Sequence, residues 1–127
     1  MGFANIPMRA RFIQLTTYRR SSAEVSTPVW FARSRRGVYI VTHATAGKLK
    51  RISANPRVSL APCRSQGKRT GPECAGTARV LPDDERQRAA KAISRRYFLV
   101  PRALVELVMR RRGRGQPAVY IEVVPAQ

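Results

Sequence analysis

The stretch Glu24-Val25-Ser26-Thr27-Pro28-Val29-Trp30-Phe31-Ala32-Arg33, followed by Ser34-Arg35-Arg36-Gly37 and Val38-Tyr39-Ile40-Val41-Thr42, decides the fold. Its first ten residues alternate. Val25, Thr27, Val29 and Phe31 share one face of an extended chain, and Ser26, Pro28, Trp30 and Ala32 share the other. The four residues after Arg33 leave room for no more than a hairpin loop, so Val38–Thr42 is an antiparallel return strand. Pro28 removes a ladder donor, which a sheet tolerates at an edge, at a bulge, or where something other than a strand approaches. Trp30, on the same face, offers a flat wall to an aromatic ring or a large side chain to the core.

Upstream, Arg11-Phe12-Ile13-Gln14-Leu15-Thr16 is a strand that ends in Thr17-Tyr18 before a polar turn over 19–23. Downstream, Thr45-Ala46-Gly47 leads into a short helix from Lys48 to Ala54, closed by Asn55-Pro56 because the residue before proline leaves the helical region. Arg57 to Cys63 is a further strand, a polar loop over 64–72 turns it round, and Glu73 to Leu81 returns. Pro82-Asp83-Asp84-Glu85 starts a helix, with its acids at the positive end of the dipole. Ala89 or Ala90, Ile93 and Tyr97 form its apolar stripe. A second helix after Pro101 ends in Arg110-Arg111-Arg112, Gly113 to Pro117 breaks it, and Ala118–Val124 is the last strand. These elements predict one mainly β domain over residues 1–127, an antiparallel barrel of about six strands with a few short helices. In a simple meander, Val58–Cys63 lies beside the Thr42 strand and lines the same pocket.

Composition narrows the function. Lys and Arg total 25 against 7 acids, a formal net charge of +18, and such a surface attracts nucleic acid, anionic lipid, or a phosphorylated and carboxylated ligand. Four of the 25 are Lys, and a GC-rich genome would also favour the remaining Arg. Cys63 and Cys74 match no zinc spacing and His43 is the single histidine, so no metal site is expected and both thiols are read as free. No hydrolytic triad assembles from these residues, and no catalytic residue is named. Tyr39 and Tyr120 are proton donors by type, although core packing also accounts for them. No apolar run approaches the roughly 20 residues of a membrane span, and no secretory signal is visible, so a cytoplasmic protein without a membrane partner is expected.

Residues Thr42-His43-Ala44-Thr45-Ala46-Gly47-Lys48-Leu49-Lys50-Arg51-Ile52 run from a strand end through a small-residue turn into a helix start. Free backbone N–H groups and the helix dipole favour an anion there, and Lys48 and Arg51 share one helical side. A solvated basic turn is the rival reading. Arg110 to Arg114 raises the alternative of a basic nucleic-acid-binding protein, but aromatic and basic residues are not interleaved and no helix-turn-helix is apparent.

The ordered set Leu15–Arg20, Val25–Phe31, Gly47–Ile52, Asn55–Val58, Leu60–Cys63, Thr70-Gly71-Pro72 and Gly76–Val80 resembles the small deazaflavin-dependent oxidoreductases of actinobacteria. These are split β-barrels of the pyridoxamine-phosphate-oxidase-like family, also called the FMN-binding split-barrel type. The likeness implies an enzyme that uses the deazaflavin coenzyme F-420, with FMN as the alternative cofactor, to transfer a hydride to an electron-poor small-molecule substrate. A non-catalytic coenzyme-binding protein would use the same residues. It implies that Ser26, Thr27, Pro28, Val29 and Trp30 lie along the ring. Thr42, Gly47 and Lys48 would hold the phosphate with Arg51 close by, and Ala61, Pro62 and Cys63 would border the ring. It also implies a homodimer with sites at the subunit interface. His43, Thr45 and Ala46 depart from the glycine, aspartate and serine of the family pattern.

Overall fold

The structure is a computed structural model and describes residues 3, 6, 10–64, 66–97 and 102–126. Pro101, expected to precede the last helix, lies outside these. Among the described residues seven strands and three helices follow in order: β1 (Phe12–Tyr18), β2 (Glu24–Val29), β3 (Phe31–Arg33), β4 (Val38–Thr42), α1 (Gly47–Ala54), β5 (Arg57–Cys63), β6 (Cys74–Val80), α2 (Asp83–Arg96), α3 (Arg102–Arg112) and β7 (Val119–Pro125). Every neighbouring pair is antiparallel, in the order β2-β1-β5-β6-β7-β4-β3.

The ten-residue strand expected over 24–33 is two strands. Its first half pairs with β1 at one edge of the sheet, and its second half pairs with β4 at the other edge. Trp30 alone separates them, so the two edges of the sheet meet and the sheet curls into a split barrel. Pro28 lies on the edge strand β2, where its missing N–H leaves no ladder bond unmade.

Alternation sorts the side chains as the sequence predicts. Val29, Phe31, Val38, Ile40, Leu60 and Ile121 belong to the cluster that fills the barrel. Ala32, Tyr39, Val41 and Tyr120 point the other way and form a second cluster with Ala89, Ala90 and Ile93 of α2 and Val105 of α3. Tyr39 and Tyr120 are therefore buried core residues. Cys74 packs against the barrel cluster opposite Leu60, whereas Cys63 lies three residues beyond Leu60 on the other face, so the two form no disulfide. Among the described residues no helix is long and apolar enough to cross a membrane, and no group of three potential metal ligands occurs.

One expected adjacency is wrong. β5 lies between β1 and β6, while β4 lies between β3 and β7, so the Val58–Cys63 strand is not beside the Thr42 strand. The last strand takes that place because its apolar residues match in register, Ile121 opposite Ile40 and Val123 opposite Val38.

The end of α2 closes the seam. The Tyr97 hydroxyl accepts a hydrogen bond from the Phe31 N–H at 3.2 Å and donates one to the Arg11 carbonyl at 2.6 Å. Its ring stacks on Trp30 at 5.3 Å between centroids, and the Arg96 guanidinium sits 4.2 Å above the Phe31 ring. Tyr97→Phe keeps the stacking but orphans an amide and a carbonyl at the joint. It is expected to cost about 1–2 kcal/mol in a urea melt, and an unchanged midpoint would show that water replaces the hydroxyl.

Candidate functional site

A groove of about 590 Å³ follows the seam, within the range of small-molecule sites. Thr27, Pro28 and Val29 of β2 form one wall, continued by Trp30 at the joint and by Phe12 of β1. Val41 and Thr42 of β4 form the floor towards His43 and Lys48. Val108, Met109 and Arg112 of α3 form the remaining wall.

The groove has an apolar part and a cationic end. Lys48 is the second residue of α1, whose N-cap is Ala46 and makes no side-chain cap bond, so no side chain of the cap residue competes for the free N–H groups. Among the described residues no carboxylate lines the groove, and neither an ion pair nor a hydrogen bond reaches the Lys48 ammonium. Burial, then the Arg51 and Arg112 guanidinium groups, hold Lys48 down to about 8. Burial, then Lys48 and Arg112, push His43 below its ordinary value. Arg51 is lowered by burial and by Arg19. Like charges gathered without a counter-ion favour an anionic ligand, which would relieve the repulsion.

This cluster has a pH signature. An anion that pairs with Lys48 should bind with near-constant affinity below about pH 8, as far as this lysine is concerned. Affinity should then fall by up to about tenfold per pH unit until the pH reaches the lysine's pKa in the complex. The ligand-free protein behaves oppositely. The folded pKa lies below the ordinary 10.5, so the unfolded chain holds more protons between about 8 and 10.5 and stability rises with pH across that window. Titrations with pyrophosphate from pH 6 to 10, paired with thermal melts of the ligand-free protein, check both signs.

Of the residues expected at the site, Thr27, Pro28, Val29, Trp30, Thr42 and Lys48 line this groove. Gly47 and Arg51 adjoin it: the Arg51 guanidinium lies over Gly47, and its Nε donates to the Thr17 hydroxyl at 2.6 Å. Ser26 does not line the groove, and its hydroxyl shares a 2.7 Å hydrogen bond with Thr16. Ala61, Pro62 and Cys63 are buried on β5, opposite Gln14, Ile13 and Phe12, and do not line the groove. The sequence reading missed Phe12, His43, Val108, Met109 and Arg112. The arginine run at the end of α3 was the one available signal, and nothing local placed it beside Lys48. The Thr45 hydroxyl donates to the Arg112 carbonyl at 2.7 Å, joining the turn before α1 to the end of α3.

A sequence profile described as pyridoxamine 5'-phosphate oxidase matches residues 4–123. The chain belongs to the pyridoxamine 5'-phosphate oxidase family. Solved structures agree on the fold of this family. The heme storage protein HutZ of Vibrio cholerae superposes with a TM-score of 0.71 at 15% identity, over 94% of this chain and 84% of that one. A protein described as F-420 reductase gives 0.65 at 20%, over 94% and 90%. A FAD-binding protein of Mesorhizobium loti gives 0.58 at 21%, over 92% and 80%. No curated protein matches the sequence. The family frame accounts for the split barrel and leaves the ligand open.

Proposed function

We propose that this protein is an oxidoreductase that uses the deazaflavin coenzyme F-420 to reduce a small electron-poor substrate. The observation that carries the reading is one groove with an apolar wall at Pro28 and Trp30 and an uncompensated cationic end at Lys48 and Arg112, beside His43. A planar ring attached to a phosphate chain fits such a groove. Lys48 and Thr42 would hold the phosphate, Pro28 and Trp30 would lie along the ring, and Val108 and Met109 would keep water from it. When bound and reduced, the coenzyme supplies the hydride. The reading includes a homodimer whose second protomer completes the site, as the resemblance implies.

Trp30 is the single tryptophan and lines the groove, so its fluorescence reports occupancy. Titration with F-420 and with FMN, each oxidised and reduced, should quench it more strongly at low concentration with F-420. Enones, quinones and biliverdin-like acceptors should then reoxidise the reduced coenzyme. Tight FMN binding with no response to F-420 would overturn the choice of cofactor. F-420 binding without turnover of any acceptor would make the protein a coenzyme carrier. The nucleic-acid alternative loses part of its support, because Arg112 lines the groove and Arg110 pairs with Glu106 at 3.2 Å.

A further inference from the structure

Helix α3 has a second face that the groove does not use. Val105 is buried and Met109 packs against the outer cluster, while Ala103, Leu104, Leu107, Arg110 and Arg111 are exposed. At 100° per residue these five fall within one arc of about 120°. Leu104 and Leu107 are 47% and 53% exposed, and they are two of the three large apolar side chains that stand out from the described surface. The helix continues into a turn in which Arg114 is exposed at φ +55°, a left-handed conformation that glycine or asparagine adopts more readily. Arg111 and Arg114 make no ion pair among the described residues. Two leucines and the unpaired Arg111 on one solvent face, with the exposed, unpaired Arg114 just beyond the helix end, form a pairing that an aqueous surface does not need.

We propose that this face of α3 docks on an anionic lipid surface. The leucines would enter the acyl boundary and the arginines would meet the lipid phosphates, in the manner of interfacial amphipathic helices. Charge complementarity supports a lipid, since the protein carries +18. The exposed leucines favour lipid over nucleic acid, which would be held by the arginines alone. No membrane span is required, so the absence of a long apolar helix among the described residues does not bear on it. The opposite side of α3 walls the groove through Val108 and Met109, so the docked protein would hold that groove close to the bilayer. This inference does not depend on which coenzyme, if any, the groove takes.

Co-sedimentation with vesicles tests it at about 0.15 M salt, where exposed charges are largely screened beyond about 8 Å. The full chain should bind vesicles of mixed phosphatidylglycerol and phosphatidylcholine and should leave pure phosphatidylcholine vesicles in the supernatant. The double variant Leu104→Ser/Leu107→Ser should bind the mixed vesicles at least about tenfold more weakly. Both leucines are exposed, and an unchanged thermal melt would show that the fold survives. Arg111→Ser/Arg114→Ser should also weaken binding, whereas Arg88→Ser/Lys91→Ser on the exposed face of α2 should not. Three results would overturn the proposal: no binding to the mixed vesicles, undiminished binding by the leucine variant, or equal losses from both charge variants. Displacement from vesicles by duplex DNA at equal phosphate concentration would overturn it too and assign the patch to nucleic acid.

Discussion

Lys48→Ala is expected to weaken binding of F-420 or FMN by about 30–150-fold, the equivalent of roughly 2–3 kcal/mol for a lost charge-assisted hydrogen bond. The ligand-free protein should show the opposite effect. Its melting temperature should hold or rise, because the substitution removes a cation that burial, Arg51 and Arg112 all disfavour. A structural lysine would lose stability when truncated, so the pair of measurements separates a binding role from a packing role. Unchanged affinity for both coenzymes would remove Lys48 from the site and with it the proposed anchoring of the phosphate.

Gly37→Ala should produce the largest loss of stability. A Cβ at Gly37 would lie 1.9 Å from the Val123 carbonyl oxygen, 2.9 Å from its carbon and 3.0 Å from the Val124 Cα. All three are backbone atoms, so no rotamer change relieves the clash. β7 would have to move away from β4, although Val123 is fully buried in the barrel. A cost of about 3–5 kcal/mol is expected, lowering the melting temperature by roughly 10 °C or more. Gly47→Ala is the contrast. Its Cβ would meet the Arg51 Nη1 at 2.9 Å, the far end of a flexible side chain, and stability should change by less than about 1 kcal/mol. Equal losses from the two substitutions would show that the β4–β7 contact does not limit the fold.

Much of the architecture was legible because it rests on local rules. The hairpin at Ser34–Gly37, the short helix closed by Asn55-Pro56 and the acid-led start of α2 each follow from a few adjacent residues. The two faces of Glu24–Arg33 were also legible, since alternation continues unbroken through Trp30. That continuity concealed the break into β2 and β3. Nothing in the period of two records which partner strand each half will find. The cationic end of the groove was half legible. Lys48 was marked by its place at a helix start, whereas His43 looked like a departure from a pattern and Arg112 like the tail of a surface helix. Ala61, Pro62 and Cys63 were assigned to the site through the resemblance and a meander, and β5 instead lies across the sheet from Thr42.

The amino-acid order by itself determined the element types, the inward and outward faces of the strands, the anion-favouring start of α1 and the surplus of positive charge. These depend on backbone propensity and side-chain period within about ten residues. Tertiary structure alone decided that β7 enters between β4 and β6, that Trp30 joins the two edges of the sheet, and that Arg112 comes to lie in the same groove as Lys48. Those outcomes depend on closing a barrel. Closure is set by the combined register of all seven strands and by packing of α2 and α3 outside them, and no local stretch of sequence contains that information.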